Sequence, residues 1–216
     1  MCSARGYDGT AMQMCSPARP GPGRPRKFDR GQALAQAMRL FWEQGYEGTT
    51  FDQLITAMGI SASSFQNSFG TKERVYEAAT QLYLDEKARW FADALSGDTG
   101  TRQTFEKLIE STADAFTECG DPAGCMISLA GTHAAAECSR IRDMMAAKRV
   151  MAEEAMRNRI EAGIEKGDVP PGTDAAGIAA FFSTVFRGMA VQARDGATRE
   201  QLLKIGHLAM RAWPEG

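Results

Sequence analysis

The chain has 216 residues, 44% of them apolar and 24% charged, enough for a packed core under a solvated surface, which excludes wholesale disorder. No run of 18 uncharged apolar residues occurs, so no membrane partner is expected, and residues 1–26 lack the apolar stretch of a secretory signal. A cytoplasmic protein of one or two domains is expected, with its five cysteines reduced.

The formal charge of −2 is unevenly spread. Residues 1–75 carry nine Lys/Arg against six Asp/Glu, whereas residues 76–216 carry 16 against 21. A small basic unit on an acidic body suggests a polyanion partner for one end only. Residues 1–27, rich in Gly, Pro and Ser, are read as a disordered basic arm. Within it Arg24, Arg26 and Lys27 stand among Gly and Pro, thin and extended enough to enter a narrow A·T minor groove.

Asp29 is placed to cap a first helix, about residues 30–44, whose apolar positions Ala33, Ala37, Leu40 and Phe41 recur at helical spacing before Gly45 stops it. Thr50 and Gln53 have capping-box form and open a second helix that ends at Gly59. Ser61 or Ser63 starts a third through Phe69, and Thr71 caps a longer one expected to run to about Leu95. The second and third helices, joined by a four-residue turn containing Gly59, have helix-turn-helix form, in which the later helix enters the major groove.

Residues 101–119 carry an apolar stripe of Phe105, Leu108, Ile109, Thr112 and Phe116. A small-residue helix over 124–136 and a long charged one over 139–165 follow, then one opened by Thr173 and a last one from Thr198 to Trp213. That makes about nine helices and an all-α fold, since strand-like alternation is almost absent. The last helix is apolar on more than one face and must be buried on more than one side. A central core position meets that demand, as does packing against a twofold-related copy.

The run Gly45-Tyr46-Glu47-Gly48-Thr49-Thr50-Phe51-Asp52-Gln53-Leu54-Ile55 resembles the N-terminal signature of the TetR family of transcriptional regulators. Ala57 to Phe65 and Phe69-Gly70-Thr71-Lys72-Glu73 continue it without a gap. The resemblance implies a three-helix DNA-binding domain over 28–75 and a helical effector-binding and dimerisation domain over 76–216. It implies a repressor that holds a palindromic operator in double-stranded DNA as a homodimer and is released by a small-molecule or thiol-reactive effector. It also favours the copy over the central core as cover for the last two helices, through Phe181, Val185, Phe186, Met189, Leu202, Ile205, Ala209 and Trp213. Two positions depart from the family pattern: Ala62 stands where a basic residue is frequent, and Gln66 where an aromatic commonly meets phosphate.

The expected DNA contacts are Ser61, Ser63, Ser64, Phe65, Gln66 and Asn67 on the third helix, with Thr50 and Lys72 at helix starts and Arg24, Arg26 and Lys27 in the arm. Gln and Asn pair bidentately with adenine edges, Ser bonds bases or phosphate, and Phe65 would meet a thymine methyl. Helix N-termini suit phosphate.

An effector cavity is expected among Trp90, Phe91, Phe105, Phe116, Met126, Met144, Met145 and Phe182, with His133, Arg140 and Arg142 as polar handles. Cys119, Cys125, His133 and Cys138 fall within twenty residues. Thiolates with an imidazole suit zinc or cuprous copper, low-pKa thiols suit an electrophile or redox switch, and free cysteine also packs as a small hydrophobe. The three cysteines are therefore sensor candidates, and no metal or cofactor is assigned. An enzyme is not expected: no phosphate loop, nucleophile elbow or His-Glu-x-x-His motif occurs. The competing reading is a thiol- or metal-responsive helical protein whose main partner is not DNA.

Overall fold

A computed structural model describes residues 28–130 and 139–214. Ten α-helices and no strands occur among the described residues. The first, α1 (Arg30–Gly48), starts where the Asp29 carboxylate accepts from the Gly31 and Gln32 amides at 2.8 and 3.1 Å. Its regular part ends at Gly45, whose φ of +75° lies in the left-handed region that favours glycine. The capping box forms at α2 (Phe51–Met58): the Gln53 amide donates to Thr50 Oγ1, and the Thr50 amide donates to Gln53 Oε1. Gly59, at φ +65°, turns the chain into α3 (Ala62–Ser68).

One expected helix is two. α4 (Lys72–Glu86) and α5 (Arg89–Ser96) are separated at Lys87 and Ala88, so ten helices stand where about nine were expected. Neither residue breaks a helix by propensity. The bend is fixed from outside, by the Lys87 ammonium 2.5 Å from Asp121 and by Trp90 and Phe91 packing on the body's core. The remaining elements are α6 (Thr101–Phe116), α7 (Met126–Leu129), α8 (Ser139–Lys166), α9 (Ala175–Arg194) and α10 (Arg199–Ala209), then a 3₁₀ turn (Met210–Ala212). α9 is capped by Asp174 rather than Thr173. Of the helix expected over 124–136, only α7 forms among the described residues: Cys125 caps it and Ala130 ends it in extended backbone, while 131–136 lie outside the described residues. At the start of α6, whose Gly100 has no capping side chain, Asp168 accepts from the Thr101 amide at 2.8 Å and from its hydroxyl at 2.9 Å.

α9 is long and apolar enough to cross a membrane by length and composition alone, although Arg187 interrupts its uncharged run. Its apolarity has a packing cause: Ala179, Phe182, Met189, Ala190 and Ala193 form the centre of the body.

Two cores result. The first joins α1, α2 and α3 to α4, with Phe41, Leu54, Phe65, Val75 and Tyr76 almost fully buried, and Ile127, Ile141 and Met145 of the body close over it. The second, around Phe105, Ile109, Phe182, Leu202 and Trp213, holds α6, α8, α9 and α10 together. Polar ties fix one on the other. Arg39 of α1 pairs with Asp121 at 2.5 Å, and Arg194 of α9 donates to the carbonyls of Trp42 and Glu43 at 2.9 and 3.1 Å.

Candidate nucleic-acid interface and buried cavity

α3 presents one polar and one aromatic side. Ser63, Gln66 and Asn67 are exposed, while Phe65 is 0% exposed. The expectation that Phe65 meets a base is therefore corrected: its ring packs edge-on to Phe51 at 5.0 Å and against Phe69 at 6.0 Å, pointing into the core. Ser61 works locally, its hydroxyl accepting from the Ser64 amide and bonding the Ser63 and Ser64 hydroxyls at 3.0 Å. Thr50 is exposed at the head of α2.

Cations rim the far end of α3. Arg30 lies over the Phe69 ring at 5.1 Å, Lys72 lies over the Tyr46 ring at 4.3 Å, and the exposed Arg74 side chain runs past Gly70. Lys72 was expected from sequence; Arg30 and Arg74 were not, because only the fold brings them beside α3. Tyr46 also donates to Glu73 at 2.9 Å; that carboxyl is held below its usual range by its own amide, then by Thr71 and Tyr46. Arg24, Arg26 and Lys27 lie outside the described residues.

A cavity of about 130 Å³ opens between α4, α5, α6, α8 and α9. Trp90, Phe91 and Phe116 line it as expected, joined by Tyr83, Cys125, Met156, Phe186 and the cations Lys148, Arg149 and Arg187. The other effector candidates among the described residues lie elsewhere, Met144 packing on the first core. Phe105 and Phe182 are buried around Trp213, with ring centroids 4.8 and 6.0 Å from it, and are core. Met126 and Met145 are buried in the first core, beside α1 and α4. Arg140 pairs with Glu77 and Arg142 with Asp143, neither in the cavity wall. His133 lies outside the described residues.

Among the sensor candidates, Cys119 is exposed after α6, Cys138 lies outside the described residues, and Cys125 is half-buried in the cavity wall. The Cys125 sulfur accepts from the Ser128 amide and the Tyr83 hydroxyl, both at 3.4 Å. Burial pushes the Tyr83 phenol well up, with Cys125 adding to it, and burial pushes Tyr76 up to about 12 against the opposing charge of Arg149.

These phenols predict alkaline unfolding. Above pH 10 the unfolded chain releases phenolic protons that the folded chain keeps, so stability, complete below pH 10, falls as pH rises. By pH 12 Tyr76 alone removes about 2–3 kcal/mol. Tyrosinate absorbance and circular dichroism should change together in one cooperative step; ionisation near pH 10 with the fold intact would contradict the burial.

The far side of the body carries an apolar stripe. Phe181 and Val191 of α9 and Ile205 and Leu208 of α10 are 36–57% exposed, and Val185 is half-buried beside them. Five residues expected at a dimer interface are instead buried in the chain's own core: Phe186, Met189, Leu202, Ala209 and Trp213. The expectation had merged the inward and outward faces of two helices that are apolar on both. Val191 and Leu208 were missed for the same reason.

Known proteins share this plan. Residues 33–79 match the family model described as bacterial regulatory proteins, tetR family, and residues 103–203 match a tetracyclin repressor-like C-terminal domain. The transcriptional repressor ComR of Escherichia coli K12 is 30% identical over 194 residues, covering 89% of this chain and 92% of ComR. The chain belongs to the TetR family. This TetR-family protein is a DNA-binding transcriptional regulator and not an enzyme, and repression is the activity that the name of ComR carries. The repressor BdcR of the same strain is 27% identical over 191 residues, covering 88% of this chain and 92% of BdcR. A cysteine-substituted CifR, solved with a 26-base-pair operator DNA, superimposes with a TM-score of 0.85 at 38% identity, covering 89% of this chain and all of that one.

Proposed function

We propose that this regulator represses by binding a palindromic operator as a homodimer, and that a small molecule entering the cavity releases it. The observation that carries the reading is α4. Lys72 at its head stands beside α3, while Tyr83 and Leu84 near its other end line the cavity. Its 15 residues span about 22 Å at roughly 1.5 Å per residue, in one rigid piece. An occupant that displaces Tyr83 moves α4 and, with it, α3. In a dimer that reads half-sites about 34–36 Å apart, a shift of that kind spoils the register. Phe181, Val191, Ile205 and Leu208 are the surface for the second copy, forming a four-helix interface from α9 and α10. Cys125 supports a thiol-reactive effector as well, since its sulfur lies in the cavity wall with two donors directed at it.

Sedimentation of the wild type and of Leu208→Asp tests the assembly. A wild-type dimer and a monomeric variant, with operator affinity lower by at least about tenfold, are expected. A monomeric wild type would overturn the dimeric reading.

A further inference from the structure

The structure points to a ligand class, and we propose that the cavity binds a small single-ring aromatic carboxylate. The proposal rests on the reading of this cavity as the effector site. Its charge is one-sided: Lys148, Arg149 and Arg187 are in the wall, and no Asp or Glu is. Glu153 stands 3.4 Å from Arg187 outside the wall, so two positive charges remain uncompensated even when it is counted. Arg149 is fixed in place, donating to the carbonyls of Ile127 and Ala130 at 3.0 and 2.8 Å. Its guanidinium is held below the usual range by burial and then by the Arg187 charge, the cost expected of two cations facing each other in a partly dry site. An anion between them offsets that cost and gains charge-assisted hydrogen bonds, which a planar carboxylate makes best with guanidinium.

The rest of the wall sets the other end of the ligand. Trp90 and Phe91 meet edge to face at 5.9 Å, and Phe116 of α6 lines the same cavity. About 130 Å³ is close to the volume of an apolar cavity known to hold benzene, so the space suits a single ring. A neutral arene would leave the cations unmatched, and a small dicarboxylate would leave the aromatic wall unfilled.

The test titrates the full-length protein with benzoate, phenylacetate and cinnamate, and with benzamide as the neutral isostere of benzoate. Calorimetry reads binding, and fluorescence anisotropy of labelled operator reads release. At least one carboxylate should bind tenfold or more tightly than benzamide. Arg187→Gln and Lys148→Gln should each weaken that carboxylate at least tenfold while leaving benzamide within twofold. Arg149 is left unchanged because it also anchors two carbonyls. Equal affinity for benzamide, carboxylate binding indifferent to both variants, or no binding by any of the four would overturn the proposal. Charge-selective binding with the operator still held would sustain the ligand class and overturn the effector role.

Discussion

Phe65→Ala is expected to lower the stability of the N-terminal unit by about 3–5 kcal/mol, the usual cost of truncating a fully buried phenylalanine. The ring is the pin of a small core. It touches Phe51 from α2 and Phe69 from the end of α3, and with Leu54, Phe41 and Val75 it is among the few fully buried side chains there. A unit of this size has little else to hold three short helices, so the loss should melt α2 and α3 locally while the body around Phe105 and Phe182 persists. Hydrogen exchange resolved by segment is the readout: protection lost over 51–69 and kept over 101–116. Phe65→Leu, which keeps most of the volume, should cost less than about 1.5 kcal/mol. A stable Phe65→Ala protein with altered sequence preference would mean the ring reads DNA after all.

The second large effect concerns affinity rather than folding. Gln66 and Asn67 are exposed on α3, outside both cores, so Gln66→Ala with Asn67→Ala should leave stability within about 0.5 kcal/mol. Each such side chain is worth about 1–3 kcal/mol when it pairs bidentately with a base. A homodimer presents both in both half-sites, so even the low end predicts close to 4 kcal/mol, nearly a thousandfold weaker operator binding. Arg30→Ala and Arg74→Ala should act differently, lowering affinity for all sequences and reducing the slope of binding against salt. Operator affinity unchanged in the double Gln66/Asn67 variant would move recognition off α3.

The N-terminal unit was the most legible part of the sequence, because its signals are local. Asp29, Thr50 with Gln53, Gly59 and Thr71 each fix a helix end through atoms a few residues away, and each sits as its residue type predicts. The break at Lys87 was not legible, since it depends on Asp121, more than thirty residues on. The cavity was half legible for a related reason. Aromatic side chains such as Trp90, Phe116, Phe105 and Phe182 all read alike in sequence, and only packing separates the wall from the core. Lys148 and Arg149 sit in a long charged helix and read as solvated surface, yet both line the cavity while Val150 and Met151 beside them are exposed. On α9 and α10 apolar residues occupy both faces, so periodicity identified the helices but not which side a second copy would cover.

Selection of bound fragments from a random double-stranded DNA pool, at near-physiological salt and read by sequencing, tests the central claim most directly. The geometry predicts an enriched inverted repeat, its half-sites centred about one helical turn apart and its information concentrated where α3 of each subunit meets the major groove. A pool with no enriched motif, held only by binding that vanishes as salt rises, would contradict the account and leave the cations around α3 as a patch that meets phosphate alone.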